Sequence, residues 1–209
     1  QMSNLDFETE LWNKNYNYIC GIDEVGRGCL AGPVYSGAVI LDKNKSFEDP
    51  FFEKINDSKK VSTKVRENLV NYINEISIST AVGYCTAKEI DEIGIQNAVK
   101  LSMKRALNNL SIKPNYLLID SLSIDSKIPQ KNIIRGDQAS KSISSASIIA
   151  KVSRDSYMIN ELSNEYPNYS FEKNKGYGTK VHMEAIKNFG ITNIHRKSFE
   201  PIKSMILEN

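Results

Sequence analysis

The sequence is poor in the residues that soft-metal and thiol chemistry require. Its two histidines, His182 and His195, rule out a histidine-rich zinc centre and an H-E-x-x-H protease. Its three cysteines, Cys20, Cys29 and Cys85, form an odd set without C-x-x-C spacing, which reads as small buried hydrophobes in a reduced protein. No apolar run approaches the ~18 residues of a membrane-spanning helix and no signal-peptide pattern is visible, so the expected location is cytoplasmic. An excess of either charge is also missing: 27 Lys and Arg face 25 Asp and Glu, a net of +2. That balance does not announce nucleic acid, yet it leaves room for a basic groove around an acidic site. There are no repeats or low-complexity linkers. A chain of 209 residues can bury one sizeable core, and the expectation is one domain over 1–209 with a small helical portion at about 165–209.

What is present is concentrated in Tyr18-Ile19-Cys20-Gly21-Ile22-Asp23-Glu24-Val25-Gly26-Arg27-Gly28-Cys29-Leu30-Ala31-Gly32-Pro33. A short apolar run reads as a buried strand. Adjacent side chains on a strand point to opposite faces, so Asp23 and Glu24 are expected to share a site only where the strand ends and turns. The glycines that follow permit such a turn. The product is two acids beside exposed amides and one guanidinium: acids suit hard cations, amides and Arg suit phosphate oxygens. A competing reading is the dinucleotide fingerprint G-x-G-x-x-A, matched by residues 26–31. That fingerprint must open a helix, whereas Gly32-Pro33 leads at once into Val34-Tyr35-Ser36-Gly37-Ala38-Val39-Ile40-Leu41, a second strand.

Further along, residues 3–17 carry one short amphipathic helix, and 42–56 read as a charged loop. Ser62 is a candidate N-cap for a helix with Val65, Leu69, Ile73 and Ile76 on one face. A third strand spans 76–85. Thr86-Ala87-Lys88-Glu89 is a capping box opening a short helix that ends at Gly94, and a longer helix covers about 96–110. Tyr116-Leu117-Leu118-Ile119-Asp120 reads as a strand buried on both faces, and Asn132–Asp137 as a short final strand. A long helix rich in small residues follows from Gln138 to about Asn164, with a Ser/Lys-rich N-terminus suited to anions. Thr179 caps a last helix over 180–189, with Gly190 at its C′ position.

Strands alternating with helices predict an α/β sheet with helices on its faces, and ligands in such sheets gather beyond strand ends. Three strands end in acids: Asp23-Glu24, Asp120 and Asp137. Four carboxylates without histidine suit Mg²⁺ or Mn²⁺, and a pair of such ions is a known device for phosphodiester cleavage. Asp125, in a Ser-rich loop, and Asp155, inside the long helix, are rival fourth acids.

Four separated blocks of this sequence resemble the bacterial type 2 ribonucleases H. They are Gly21–Gly28 with Leu30–Val34; Asp57-Ser58-Lys59; Gly136-Asp137 with Ser145–Val152 and Arg154-Asp155; and Lys175–Thr179 with Ile194–Pro201. The resemblance implies a ribonuclease H-like mixed five-stranded sheet flanked by helices. It implies two divalent ions, Mg²⁺ or Mn²⁺, on Asp23, Glu24, Asp120 and Asp137. It implies substrate contacts from Gly26, Arg27, Gly28 and Tyr177, and backbone contacts from Ser58 and Lys59; Lys141, in the anion-suited helix N-terminus, is expected on a phosphate. The implied activity is hydrolysis of the RNA strand of RNA–DNA hybrids, with incision 5′ to single ribonucleotides in duplex DNA, leaving 3′-hydroxyl and 5′-phosphate ends, by a monomer. The rivals are a type 3 ribonuclease H, whose long N-terminal domain has no room in the 17 residues before the first strand; a non-catalytic binder of the same fold; and a dinucleotide-dependent oxidoreductase.

Overall fold

The apolar runs pair into one sheet whose order is β3-β2-β1-β4-β5. A computed structural model, described here for residues 2–57 and 60–208, gives β1 as Ile19–Val25, β2 as Val34–Leu41, β3 as Ser77–Cys85, β4 as Tyr116–Asp120 and β5 as Gln130–Ile133. β1, β2 and β3 form an antiparallel meander; β4 and β5 join parallel to β1. The helices are α1 (Asp6–Asn13), α2 (Pro50–Lys54), α3 (Thr63–Glu75), α4 (Ala87–Ile93), α5 (Ile95–Asn109), α6 (Lys141–Tyr157), α7 (Ser163–Glu165), α8 (Phe171–Asn174), α9 (Lys180–Phe189) and α10 (Ile202–Leu207). None among the described residues is long and apolar enough to cross a membrane.

Period-two alternation splits β1 and β2 between two cores. Cys20, Ile22, Val34, Ala38 and Ile40 pack with Val99, Met103 and Ala106 of α5. On the other face Val39 and Leu41 pack with Leu69 and Ile73 of α3 and Ala146 and Ile149 of α6. α6 lies close against the sheet because two positions beneath it are glycine. A Cβ on Gly21 or Gly37 would run into the backbone of Ser142 or Ala146. A third apolar cluster ties the C-terminal helices to the loop after β1, through Leu30, Ala31, Met158, Phe171, Ile186 and Ile202.

The caps read from the sequence are in place. Ser62 Oγ accepts from Val65 N, Thr86 and Glu89 form the reciprocal box, and Thr179 Oγ1 accepts from His182 N. Three expectations need correction. The loop over 42–56 contains α2, started by Asp49 as N-cap with Pro50 at the first helical position, a favoured pairing of cap and proline. β5 ends at Ile133, so Asp137 sits in a single 3₁₀ turn, Gly136–Gln138, and not on a strand. The long helix begins at Lys141 because Ser140 is its cap, and it passes through one π turn at Met158–Leu162.

Candidate active site

Parallel pairing of β1 with β4 stops at Ile22 opposite Ile119, while β1 continues beside β2 to Val25. Asp23 and Glu24 therefore lie on a strand that overhangs β4, above the carboxylate that ends it. The strand does not end at this pair, as the sequence suggested; its neighbour does. One oxygen each from Asp23, Glu24 and Asp120 lie within 4.8 Å of one another.

The electrostatics of this group are unfavourable as it stands. Asp23 is buried, and burial together with the charges of Glu24 and Asp120 raises its pKa well above the carboxylate range. Burial raises Asp120 as well, with Asp137 adding to it, against the hydrogen bond that Asp120 Oδ1 accepts from Gly136 N at 2.6 Å. Among the described residues Glu24 Oε2 is buried without a hydrogen-bond partner, and Arg27 Nη1 stands 4.0 Å from Glu24 Oε1. Leaving a buried carboxylate oxygen unpaired costs roughly 1–3 kcal/mol. A cation removes both the repulsion and the unsatisfied oxygen. The donors are all oxygen, which fits Mg²⁺ or Mn²⁺ and not a soft metal.

These acids open into a cavity of about 620 Å³ lined also by Gly26, Arg27, Gly28, Asp137 and Tyr177. Asp137 thus faces the same space without belonging to the tight group of three. Asp125 is fully exposed, 4.0 Å from Lys104, and lines a different cavity. Asp155 pairs with Lys151 at 3.1 Å. Ser58 and Lys59 lie outside the described residues. The expectation for Lys141 is overturned: it is 1% exposed, with Nζ donating to the Phe52 carbonyl at 2.7 Å and lying 4.5 Å from the Phe52 ring centre. Its first-turn position puts the side chain under α2, not in the cavity.

Sequence reasoning missed the cationic wall of the cavity, Arg66, Arg135 and Lys151, and the neighbouring Gln138 and Ser147. A 3.6-residue period from Ser147 to Lys151 on α6 could have suggested that pair. It also missed Arg154 and Arg196, both 0% exposed. Arg154 donates to the carbonyls of Ala31, Pro33 and Lys175, joining the loop after β1 to the Tyr177 loop. Gly26 has φ +85°, and a Cβ there would sit 2.7 Å from Arg154 Cδ, so any side chain here would be strained and would displace Arg154. The chain from Cys29 to Pro33 is irregular and no helix opens there, which leaves the dinucleotide reading without its phosphate site.

A sheet of this order, with acids at the open end of β1 and β4, defines a ribonuclease H-like protein. The model of the family Ribonuclease HII matches residues 20–202. A ribonuclease HII of Staphylococcus saprophyticus is 50% identical over 202 residues, covering 96% of this chain and 77% of that protein. One from Bacillus mycoides is 51% identical over 200 residues, covering 96% and 76%. The crystal structure of ribonuclease H2 from Pyrococcus horikoshii OT3 aligns with a TM-score of 0.75 at 27% identity, over 91% of this chain and 97% of that one. The chain belongs to the ribonuclease HII family and is, as such, a ribonuclease H endonuclease.

Proposed function

We propose that this enzyme uses two divalent ions, Mg²⁺ or Mn²⁺, to hydrolyse the RNA strand of RNA–DNA hybrids and to incise 5′ to single ribonucleotides in duplex DNA, leaving 3′-hydroxyl and 5′-phosphate ends. The observation that carries the reading is the close group of Asp23, Glu24 and Asp120 with one orphaned buried oxygen. Asp137, on the same cavity wall, completes the set that would hold the ions. Bound there, such ions supply Lewis acidity toward the phosphodiester and a readily deprotonated water.

The chain's own residues do the rest. Arg27, Arg66, Arg135 and Lys151 give the cavity positive walls that attract the polyanion irrespective of sequence. The backbone at Gly26, Arg27 and Gly28 meets the sugar bearing the 2′-hydroxyl, a group that both donates and accepts hydrogen bonds; among the described residues a Cβ at Gly28 would meet no atom beyond its chain neighbours within 4 Å. Tyr177, at the cavity edge with Lys151 Nζ 6.0 Å and Arg154 Cζ 5.9 Å from its ring centre, stacks on the following deoxyribose. Ser58 and Lys59 are assigned to the phosphate backbone from the sequence. Residues 165–209 serve as a cap of one domain, and the active species is a monomer.

The test is a DNA duplex with one ribonucleotide, labelled at either end, incubated with Mg²⁺ or with EDTA. The expected products are a 5′-phosphorylated ribonucleotide and an upstream 3′-hydroxyl, formed only with Mg²⁺. Cutting in EDTA, or on the 3′ side of the ribonucleotide, contradicts the reading.

A further inference from the structure

The loop between β1 and β2 rests on a guanidinium from the far end of the chain. Arg196 is 0% exposed, and its fork donates to three carbonyls: Nη2 to Gly26 at 2.7 Å, Nη1 to Arg27 at 2.9 Å and Nε to Gly32 at 3.0 Å. Phe199 packs with its ring centre 5.0 Å from the guanidinium. Among the described residues neither Arg196 nor Arg154 forms an ion pair with a carboxylate. Burial lowers the Arg196 pKa to about 10, so it remains charged at neutral pH. A buried cation held by carbonyl dipoles and a ring face in place of a carboxylate is costly, and a lysine could not satisfy three separated acceptors in one plane.

Peptide planarity gives this arrangement a consequence. In a trans peptide the C=O of one residue and the N–H of the next point in opposite directions. Carbonyls of Gly26 and Arg27 drawn inward to Arg196 turn the amides of Arg27 and Gly28 the other way. Among the described residues no backbone carbonyl accepts from either amide, and both residues line the cavity beside Asp23 and Glu24.

We propose that Arg196 is a positioning residue for ribonucleotide recognition: by holding the Gly26 and Arg27 carbonyls inward, it aims the Arg27 and Gly28 amides at the substrate's 2′-oxygen. This rests on the reading above that the 26–28 backbone meets the ribose. Arg196 touches no substrate; it acts through the loop, and the positive charge behind the amides strengthens them as donors.

The experiment measures affinity in EDTA, where nothing is cleaved, for two duplexes that differ only in one ribose or deoxyribose. The proteins are wild type, Arg196→Lys, which keeps the charge and loses the fork, and Phe199→Leu, which removes the ring beside the guanidinium and leaves its hydrogen bonds. The ribose preference is expected to fall about tenfold in Arg196→Lys, the worth of one or two neutral hydrogen bonds, and by less in Phe199→Leu. Affinity for the all-DNA duplex should stay within twofold. Amide resonances of Arg27 and Gly28 should move on binding the ribose duplex in wild type and lose that response in Arg196→Lys. If wild type shows neither a ribose preference nor those amide shifts, the reading of the loop fails first. If wild type shows both and they survive in Arg196→Lys, the positioning role is overturned. Should Arg196→Lys not fold, Arg196→Gln, whose single amide group cannot reach all three carbonyls, takes its place, and an unchanged preference there overturns it. A loss of affinity equal for both duplexes means Arg196 is structural only.

Discussion

Replacing Gly21 by alanine should damage the enzyme without removing any functional group. An added Cβ would lie 2.6 Å from the Ile143 nitrogen and closer still to the Ser142 carbonyl. α6 would have to retreat by roughly 1 Å to restore ordinary carbon contact. Overpacking of this kind costs about 1–3 kcal/mol, which in a chain of this length lowers Tm by roughly 3–10 °C. The functional effect should be larger. The displaced turn of α6 follows directly on the turn that carries Asp137: Ser140 N donates to the Gly136 carbonyl at 2.8 Å, and Ser144 Oγ donates to the Asp137 carbonyl. A misplacement of ~1 Å at a catalytic group can cost about a hundredfold in rate. Thermal melts and single-turnover cleavage of a hybrid check both effects. A variant with Tm within 1 °C of wild type and a rate within twofold refutes the idea that close α6 packing sets the site.

Three further outcomes are expected. At saturating Mg²⁺, Asp137→Asn should lower cleavage at least tenfold, while Asp125→Asn and Asp155→Asn stay within threefold; a larger loss from either of the latter two means the fourth acid was chosen wrongly. Glu8, buried against Ser140 Oγ at 3.1 Å, has its pKa raised to about 7, chiefly by burial. A carboxyl raised on folding stabilises at low pH and loses that contribution as pH rises through its folded pKa. Wild type should therefore lose about 2–3 kcal/mol relative to Glu8→Gln between pH 5 and pH 8.5, and parallel melting curves for the two proteins would show that Glu8 does not titrate there. Tyr177→Ala should lower kcat/KM for a single-ribonucleotide duplex far more than for an all-RNA hybrid; equal losses mean that Tyr177 supports the site without reading the junction.

Much of this was legible because local chemistry and tertiary structure agree. The capping box at Thr86 and the Thr179–Gly190 helix are set by side chains within a few residues of their own backbone. Asp23, Glu24 and Asp120 were legible as a group because apolar runs ending in acids leave those acids at a sheet's open end. What escaped depends on contacts far apart in sequence. Arg196 sits in the Ile194–Pro201 block, where nothing local marks it as buried, yet it is held by carbonyls some 170 positions away. Lys141 was read as a free phosphate ligand, and only the packing of α2 over α6 shows its ammonium held by the Phe52 carbonyl. Asp137 was placed on a strand because Ile133 and Ile134 extend the apolar pattern. Arg135, at φ +52°, starts the turn instead.

The most direct measurement concerns Asp23, at the centre of the acidic group. Asp23→Asn keeps the shape of the side chain and removes its charge. Cleavage of a duplex with one ribonucleotide and binding to an RNA–DNA hybrid should be measured side by side, in Mg²⁺. The account predicts that cleavage falls more than a hundredfold while hybrid affinity stays within threefold. Retention of more than about a tenth of the wild-type rate, under ~1.4 kcal/mol of transition-state stabilisation, would contradict the assignment of this carboxylate cluster as the cation-dependent centre.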